Sequence, residues 1–166
     1  MREIRKKIVT VGSIGVGKTS LIKRFVFSEF KDEYLSTIGV RVDKKTIEFE
    51  TSKVHLLIWD LAGEIMENKS YQNYLRGASG VIGIFDITRP NTFQGIKEYL
   101  RDVKNIQPDT ETIVIGNKVD LYDEAHIDLK AFEYDFLTSA KMNNNVEDSF
   151  IKMATLLLNP TFSESI

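Results

Sequence analysis

Four short apolar runs decide most of what this chain can fold into: Ile8-Val9-Thr10-Val11, residues 54–59, residues 81–85 and Ile113-Val114-Ile115. Each is rich in β-branched or aromatic side chains and stops at a glycine or an aspartate, which is how a strand buried on both faces reads. Between them the apolar spacing turns helical. Leu21, Ile22, Phe25 and Val26 follow the first run, Phe93, Ile96, Leu100 and Val103 the third, and Val146, Phe150, Met153, Ala154 and Leu157 close the chain. Each set falls on one face of a helix. Residues 37–50 and 53–60 read as two strands joined by a tight turn at Thr51-Ser52, and a weak strand is expected near residues 134–137. The alternation predicts an α/β fold of three layers. Its core would be a six-stranded, mostly parallel sheet with one antiparallel edge strand and helices on both faces. In such sheets ligands bind beyond the carboxyl ends of the strands.

Composition narrows the class. With 166 residues, 42% hydrophobic and 28% charged, residues 1–166 read as a single domain. The 22 basic and 24 acidic side chains leave a net charge of −2, no excess that would point to nucleic acid or anionic lipid. The absence of cysteine excludes disulfides, thiolate zinc sites, thiol nucleophiles and a lipid anchor on this chain. No apolar run is long enough to span a bilayer, and Met1-Arg2-Glu3 opens no signal peptide, so a cytoplasmic location is expected.

The first run leads directly into Gly12-Ser13-Ile14-Gly15-Val16-Gly17-Lys18-Thr19, a G-x-x-x-x-G-K-[ST] phosphate loop (P-loop) set between a strand and an amphipathic helix. Its glycines let successive backbone N–H groups turn inward as an anion nest. Lys18 supplies a point charge for the terminal phosphates, the Thr19 hydroxyl can ligate Mg²⁺, and the helix that starts here aims its positive end at the same place. Downstream, Asn117-Lys118-Val119-Asp120 ends the fifth strand, and Thr138-Ser139-Ala140-Lys141 follows. An aspartate carboxylate accepts from both N1–H and the exocyclic amine of guanine, a donor pair that adenine lacks. Left unmatched, such a carboxylate rejects adenine through its desolvation cost.

In these motifs, and over nearly its whole length, the chain resembles the Ras superfamily of small GTPases. The Rab branch is nearest, through Ser36-Thr37-Ile38-Gly39-Val40, Trp59-Asp60-Leu61-Ala62-Gly63-Glu64, Tyr74-Leu75-Arg76-Gly77-Ala78 and Phe85-Asp86-Ile87-Thr88. The resemblance implies that GTP and GDP are held by Gly15, Val16, Gly17, Lys18, Thr19 and Ser20, with Phe30 against the guanine. Thr37 would touch Mg²⁺ and the γ-phosphate, Asp60 would hold a magnesium-bound water, and the Gly63 N–H would sense the γ-phosphate. Asn117 and Asp120 would read guanine, Lys118 would lie along the ribose, and Ser139, Ala140 and Lys141 would flank the base, the Ala140 N–H meeting O6. Residues 31–38 and the segment after Gly63 would be two switches, ordered by γ-phosphate and Mg²⁺ and read by effector, exchange-factor and activating proteins. A monomer is expected.

Several positions depart from the family. Glu64 stands where a glutamine usually orients the attacking water; an ionised glutamate only accepts hydrogen bonds and adds negative charge near the γ-phosphate. Ile14 puts a branched side chain where an arginine finger needs space. Lys18, Thr37, Gly63 and Glu64 are thus the candidate catalytic set, with slow turnover expected. The effector-facing aromatic triad becomes Val42, Trp59 and Tyr74. The stretch from residue 122 to 137 is shorter than the family's, so the helix usually found there should be shortened or missing. Two functional readings stay open: a switch that cycles between GTP and GDP, and a nucleotide-binding scaffold that scarcely turns over. An adenine-nucleotide phosphotransferase is disfavoured by Asn117 and Asp120. His55 reads as a satisfied sheet residue, Lys6-Lys7 and Lys44-Lys45 as solvated faces, and Phe25 and Phe27 as core.

Overall fold

A computed structural model of the protein describes residues 1–28, 39–125 and 127–159. Six strands form one sheet in the order β2-β3-β1-β4-β5-β6. They are β1 (Arg2–Val11), β2 (Val40–Glu48), β3 (Ser52–Leu61), β4 (Gly80–Asp86), β5 (Glu111–Asn117) and β6 (Phe136–Leu137). All neighbours are parallel except β2 and β3, which run antiparallel, with Val42 opposite Trp59. The helices are α1 (Lys18–Phe27), α2 (Gly63–Glu67), α3 (Pro90–Ile106), α4 (Tyr122–Ala125) and α5 (Val146–Leu158).

The predicted architecture holds, with local corrections. β1 starts at Arg2 rather than Ile8, because parallel pairing with β3 runs from Arg2–Ser52 to Thr10–Asp60. The reversal between β2 and β3 lies at residues 49–51, closed by the Phe49 N–H donating to Ser52 O at 2.7 Å. β3 is not covered on both faces: Val54, Leu56 and Ile58 are buried, whereas the intervening Lys53, His55, Leu57 and Trp59 are only half-buried. Among the four predicted runs only β1 and β4, at the sheet centre, are covered throughout the predicted residues, as parallel strands between two helical layers should be.

One apolar layer joins Ile8, Val54, Leu56 and Ile58 to Leu21, Ile22 and Phe25 of α1 and to Phe150, Met153 and Ala154 of α5. Phe25 and Phe150 stack with centroids 4.3 Å apart, and a side chain at Gly80 would reach the Met153 sulfur within 2.5 Å, so α5 rests directly on β4. Phe27, expected in this layer, is 53% exposed. On the other face α3 and residues 66–78 cover Val9, Val11 and Val81.

After β5 the chain makes a 3₁₀ turn (Val119–Leu121), a single turn of α4 and a second 3₁₀ turn (Leu129–Ala131). The expected shortening of this helix is therefore present. Phe132 does part of the covering work, its ring 5.0 Å from Phe85 and 5.2 Å from Phe93. Burying one aromatic ring supplies apolar area that a longer amphipathic helix would otherwise contribute.

Candidate nucleotide site

Residues 12–17 connect β1 to α1 at the carboxyl edge of the sheet. Gly15 and Gly17 have φ of 79° and 100°, left-handed values that side chains disfavour. At Gly17 there is no room either, because the Asn117 carboxamide occupies the place of a Cβ. The Lys18 ammonium donates to Gly12 O at 2.6 Å and to Ser13 O at 3.3 Å, spanning the loop's opening. Burial pushes its pKa down to about 8, against the attraction of the Asp60 carboxylate. Val16 is wholly buried in the core, so only its main chain is available to a ligand.

The Thr19 hydroxyl donates to Asp60 Oδ2 at 2.6 Å, bringing the first residues of α1 to the end of β3. Burial raises the Asp60 carboxyl above its ordinary range, while the Thr19 hydrogen bond and the Lys18 charge pull it back. A buried carboxylate and a hydroxyl side by side form a hard-oxygen donor pair of the kind Mg²⁺ takes when phosphates and water complete its shell. Among the described residues no group of three or more His, Cys, Asp or Glu side chains is placed to hold a metal ion. Gly63 opens α2, and Glu64 beside it is exposed. The Ile14 side chain lies on Gly63: a Cβ there would stand 2.6 Å from Ile14 Cγ1. Thr37, Phe30 and the whole 31–38 segment lie outside the described residues.

At the base end, Asn117 is a strut. Its Nδ2 donates to Val16 O at 2.9 Å, and its Oδ1 accepts from Thr138 Oγ1 at 3.0 Å and, at a long 3.4 Å, from the Ala140 N–H. It fastens the phosphate loop to the 138–141 loop. Asp120 accepts from Ser139 Oγ at 2.7 Å through one carboxylate oxygen. Lys118, left-handed at φ 70°, pairs with Asp86 Oδ2 at 3.0 Å. Lys141 is exposed, and Ser20 is half-buried.

Three residues that the sequence reading passed over belong here. Arg24 of α1 donates to Ala140 O at 2.9 Å and Lys141 O at 3.0 Å, holding the loop beside the base end. Asp86, at the end of β4, accepts from the Thr88 N–H and hydroxyl, from Arg89 Nε at 3.1 Å and from Lys118. Arg89 also donates to Ile14 O at 2.9 Å. The available signal was position: Asp86 sits where a central strand stops. Burial works to raise the Asp86 carboxyl, but the bonds from Thr88 and Lys118 outweigh it and hold it below the usual carboxylate range. A depressed folded value gives stability that is present above the unfolded pKa of about 4 and lost as pH falls through the folded one. Asp86→Ala is expected to lower unfolding free energy by about 2 kcal/mol at pH 7. Urea titrations should show the gap to the parent chain constant down to about pH 4 and narrowing below it.

Lys7 is not simply solvated. Its ammonium stands 4.2 Å over the Trp59 ring and donates to Arg76 O at 3.1 Å. Trp59 and Tyr74 are 6.1 Å apart, with Val42 46% exposed across the ladder, so the three positions of the triad do meet on one face. His55 bonds to Thr46 Oγ1 at 2.8 Å within the sheet.

A parallel sheet with a glycine loop at its first βα turn and paired polar residues at the next strand ends defines a P-loop nucleotide-binding protein of the α/β class. The family model "Ras family" matches residues 7–159. The chain is 38% identical over 158 residues to the Ras-related protein Rab-1C of Dictyostelium discoideum, covering 90% of this chain and 79% of that one. It is 36% identical to human Rab-8B, covering 89% and 76%, and 36% identical to Rab-10 of Diplobatis ommata, covering 93% and 82%. The protein belongs to the Ras family of small GTPases and is Rab-like. Among the described residues no helix is long and apolar enough to cross a membrane.

Proposed function

We propose that this GTP-binding protein is a slow molecular switch. The observation that carries the reading is the Ile14 side chain resting on Gly63, the residue whose N–H would sense the γ-phosphate. Main-chain amides of residues 15–20 and the Lys18 ammonium neutralise the phosphates. Thr19, Thr37 and Asp60 would hold Mg²⁺, which when bound neutralises charge shared between β- and γ-phosphate oxygens. Asp120, steadied by Ser139, selects guanine. Asn117 braces the two loops and keeps its second Nδ2–H to read the base, Lys118 reaches along the ribose, and Phe30 covers the base.

Residues 31–38 and the segment after Gly63 respond to the γ-phosphate, and effector, exchange-factor and activating proteins read them beside Val42, Trp59 and Tyr74. Glu64 accepts where a donor is wanted, so GTP cleavage is slow and an activating partner supplies the missing donors. The same two residues, Ile14 and Glu64, favour a second reading in which the GTP form is a lasting scaffold. A cytoplasmic monomer suits both. Heating the purified protein and separating the released nucleotide by chromatography tests the common ground. GDP or GTP is expected, and an adenine nucleotide would overturn the reading.

A further inference from the structure

Arg89 joins two parts of the site that no motif connects. Its Nε donates to Asp86 Oδ2 at 3.1 Å and its terminal nitrogen to Ile14 O at 2.9 Å. The side chain starts from a fixed base. Arg89 N donates to Asp86 O at 3.0 Å, Arg89 O accepts from Thr92 Oγ1 at 2.7 Å, and Pro90 starts α3 at the next residue. Asp86 in turn holds Lys118 at 3.0 Å. A single buried carboxylate therefore ties the base-end lysine and, through the Arg89 fork, the main chain of the phosphate loop.

The peptide between Ile14 and Gly15 is planar and trans, so its C=O and N–H point in opposite directions. A carbonyl drawn toward Arg89 turns the Gly15 N–H away from Arg89. Gly15 is left-handed at φ 79° and has no side chain to resist rotation of that peptide, so the Arg89 bond to Ile14 O biases its orientation. The guanidinium suits the task because its fork serves a carboxylate and a carbonyl at once, which a lysine ammonium on one stem does poorly.

We infer that Arg89 is a positioning residue that orients the Gly15 amide of the phosphate loop and so sets how long the nucleoside diphosphate is retained. The inference rests on the reading of residues 12–19 as the nucleotide's phosphate cradle. It requires no contact between Arg89 and the nucleotide. Its effect is confined to the phosphate end and is independent of the base.

The test is release of radiolabelled GDP and IDP from the full chain, chased with excess unlabelled nucleotide. IDP lacks the amine that Asp120 reads but keeps the N1–H, so it weakens the base end and leaves the phosphate end unchanged. Loss of one charge-assisted hydrogen bond predicts that Arg89→Ala releases both about tenfold faster than the parent, by the same factor. Arg89→Lys, which keeps a cation beside Asp86 and guards against misfolding of the alanine variant, should fall between the two. Thr110→Val removes a buried hydroxyl that donates to Ala78 O at 3.0 Å far from the loop, and serves as a control for general loosening. The inference is overturned if both Arg89 variants release GDP at the parent rate. It also falls if acceleration is confined to GDP, or if Thr110→Val accelerates release as much. A parent chain that fails to retain GDP at all would instead sink the nucleotide reading itself.

Discussion

Replacement of Asp120 by alanine is expected to lower GDP affinity by about 10²–10⁴-fold, through two charge-assisted hydrogen bonds to guanine worth about 1.5–3 kcal/mol each. The residue stands just past β5, and the Ser139 hydroxyl, donating to one carboxylate oxygen at 2.7 Å, steadies the group for this work. Asp120→Asn controls for the fold: it keeps an acceptor for Ser139 yet presents a donor to the N1–H and amine of guanine, so it should lose GDP nearly as severely. Calorimetry with GDP and ADP checks both. Discrimination against ADP should shrink in step with the lost GDP affinity. An Asp120→Ala protein that binds GDP as the parent does would remove Asp120 from base selection.

The second large effect concerns turnover. In single-turnover assays the parent chain should cleave GTP slowly, and Ile14→Gly combined with Glu64→Gln should raise the rate about 10²-fold, the lower end of what one transition-state donor supplies. Two physical changes combine. Removing the Ile14 side chain frees the space it now takes against Gly63. Replacing the exposed Glu64 with a carboxamide removes a negative charge and adds a donor that can orient water. Ile14→Gly alone should give the smaller gain, because the carboxylate would remain. Brisk cleavage by the parent chain, unchanged or slowed by Glu64→Gln, would contradict the assignment. Negligible cleavage by the double variant would favour the scaffold reading instead.

The legible and illegible parts of this molecule differ in a consistent way. Residues 12–19 were readable because the chemistry is local: a strand, a glycine turn and a helix start lie within one short stretch. The shortened helix after β5 was readable from the length of residues 122–137 set against the family it resembles. Pairwise contacts between distant loops were not. Asn117 reads as a base reader in sequence, but its second task, bracing Val16 against Thr138 and Ala140, appears only where the folded strand ends come together. Lys7 looks like a solvated charge, yet parallel pairing of β1 with β3 carries it over the Trp59 ring.

By itself the sequence determined the class of sheet, the phosphate loop and the choice of purine, because periodicity, glycine content and side-chain chemistry act over a few neighbouring residues. Only the tertiary structure decided that Ile14 covers Gly63, that Arg24 grips the 138–141 loop and that Arg89 ties Ile14 to Asp86. Those partners are far apart along the chain, and an arginine at such a position carries no local pattern that names its acceptor. The parallel sheet gathers the strand ends along one edge, and there a long cationic side chain can satisfy a carbonyl or a carboxylate that is its neighbour only in space.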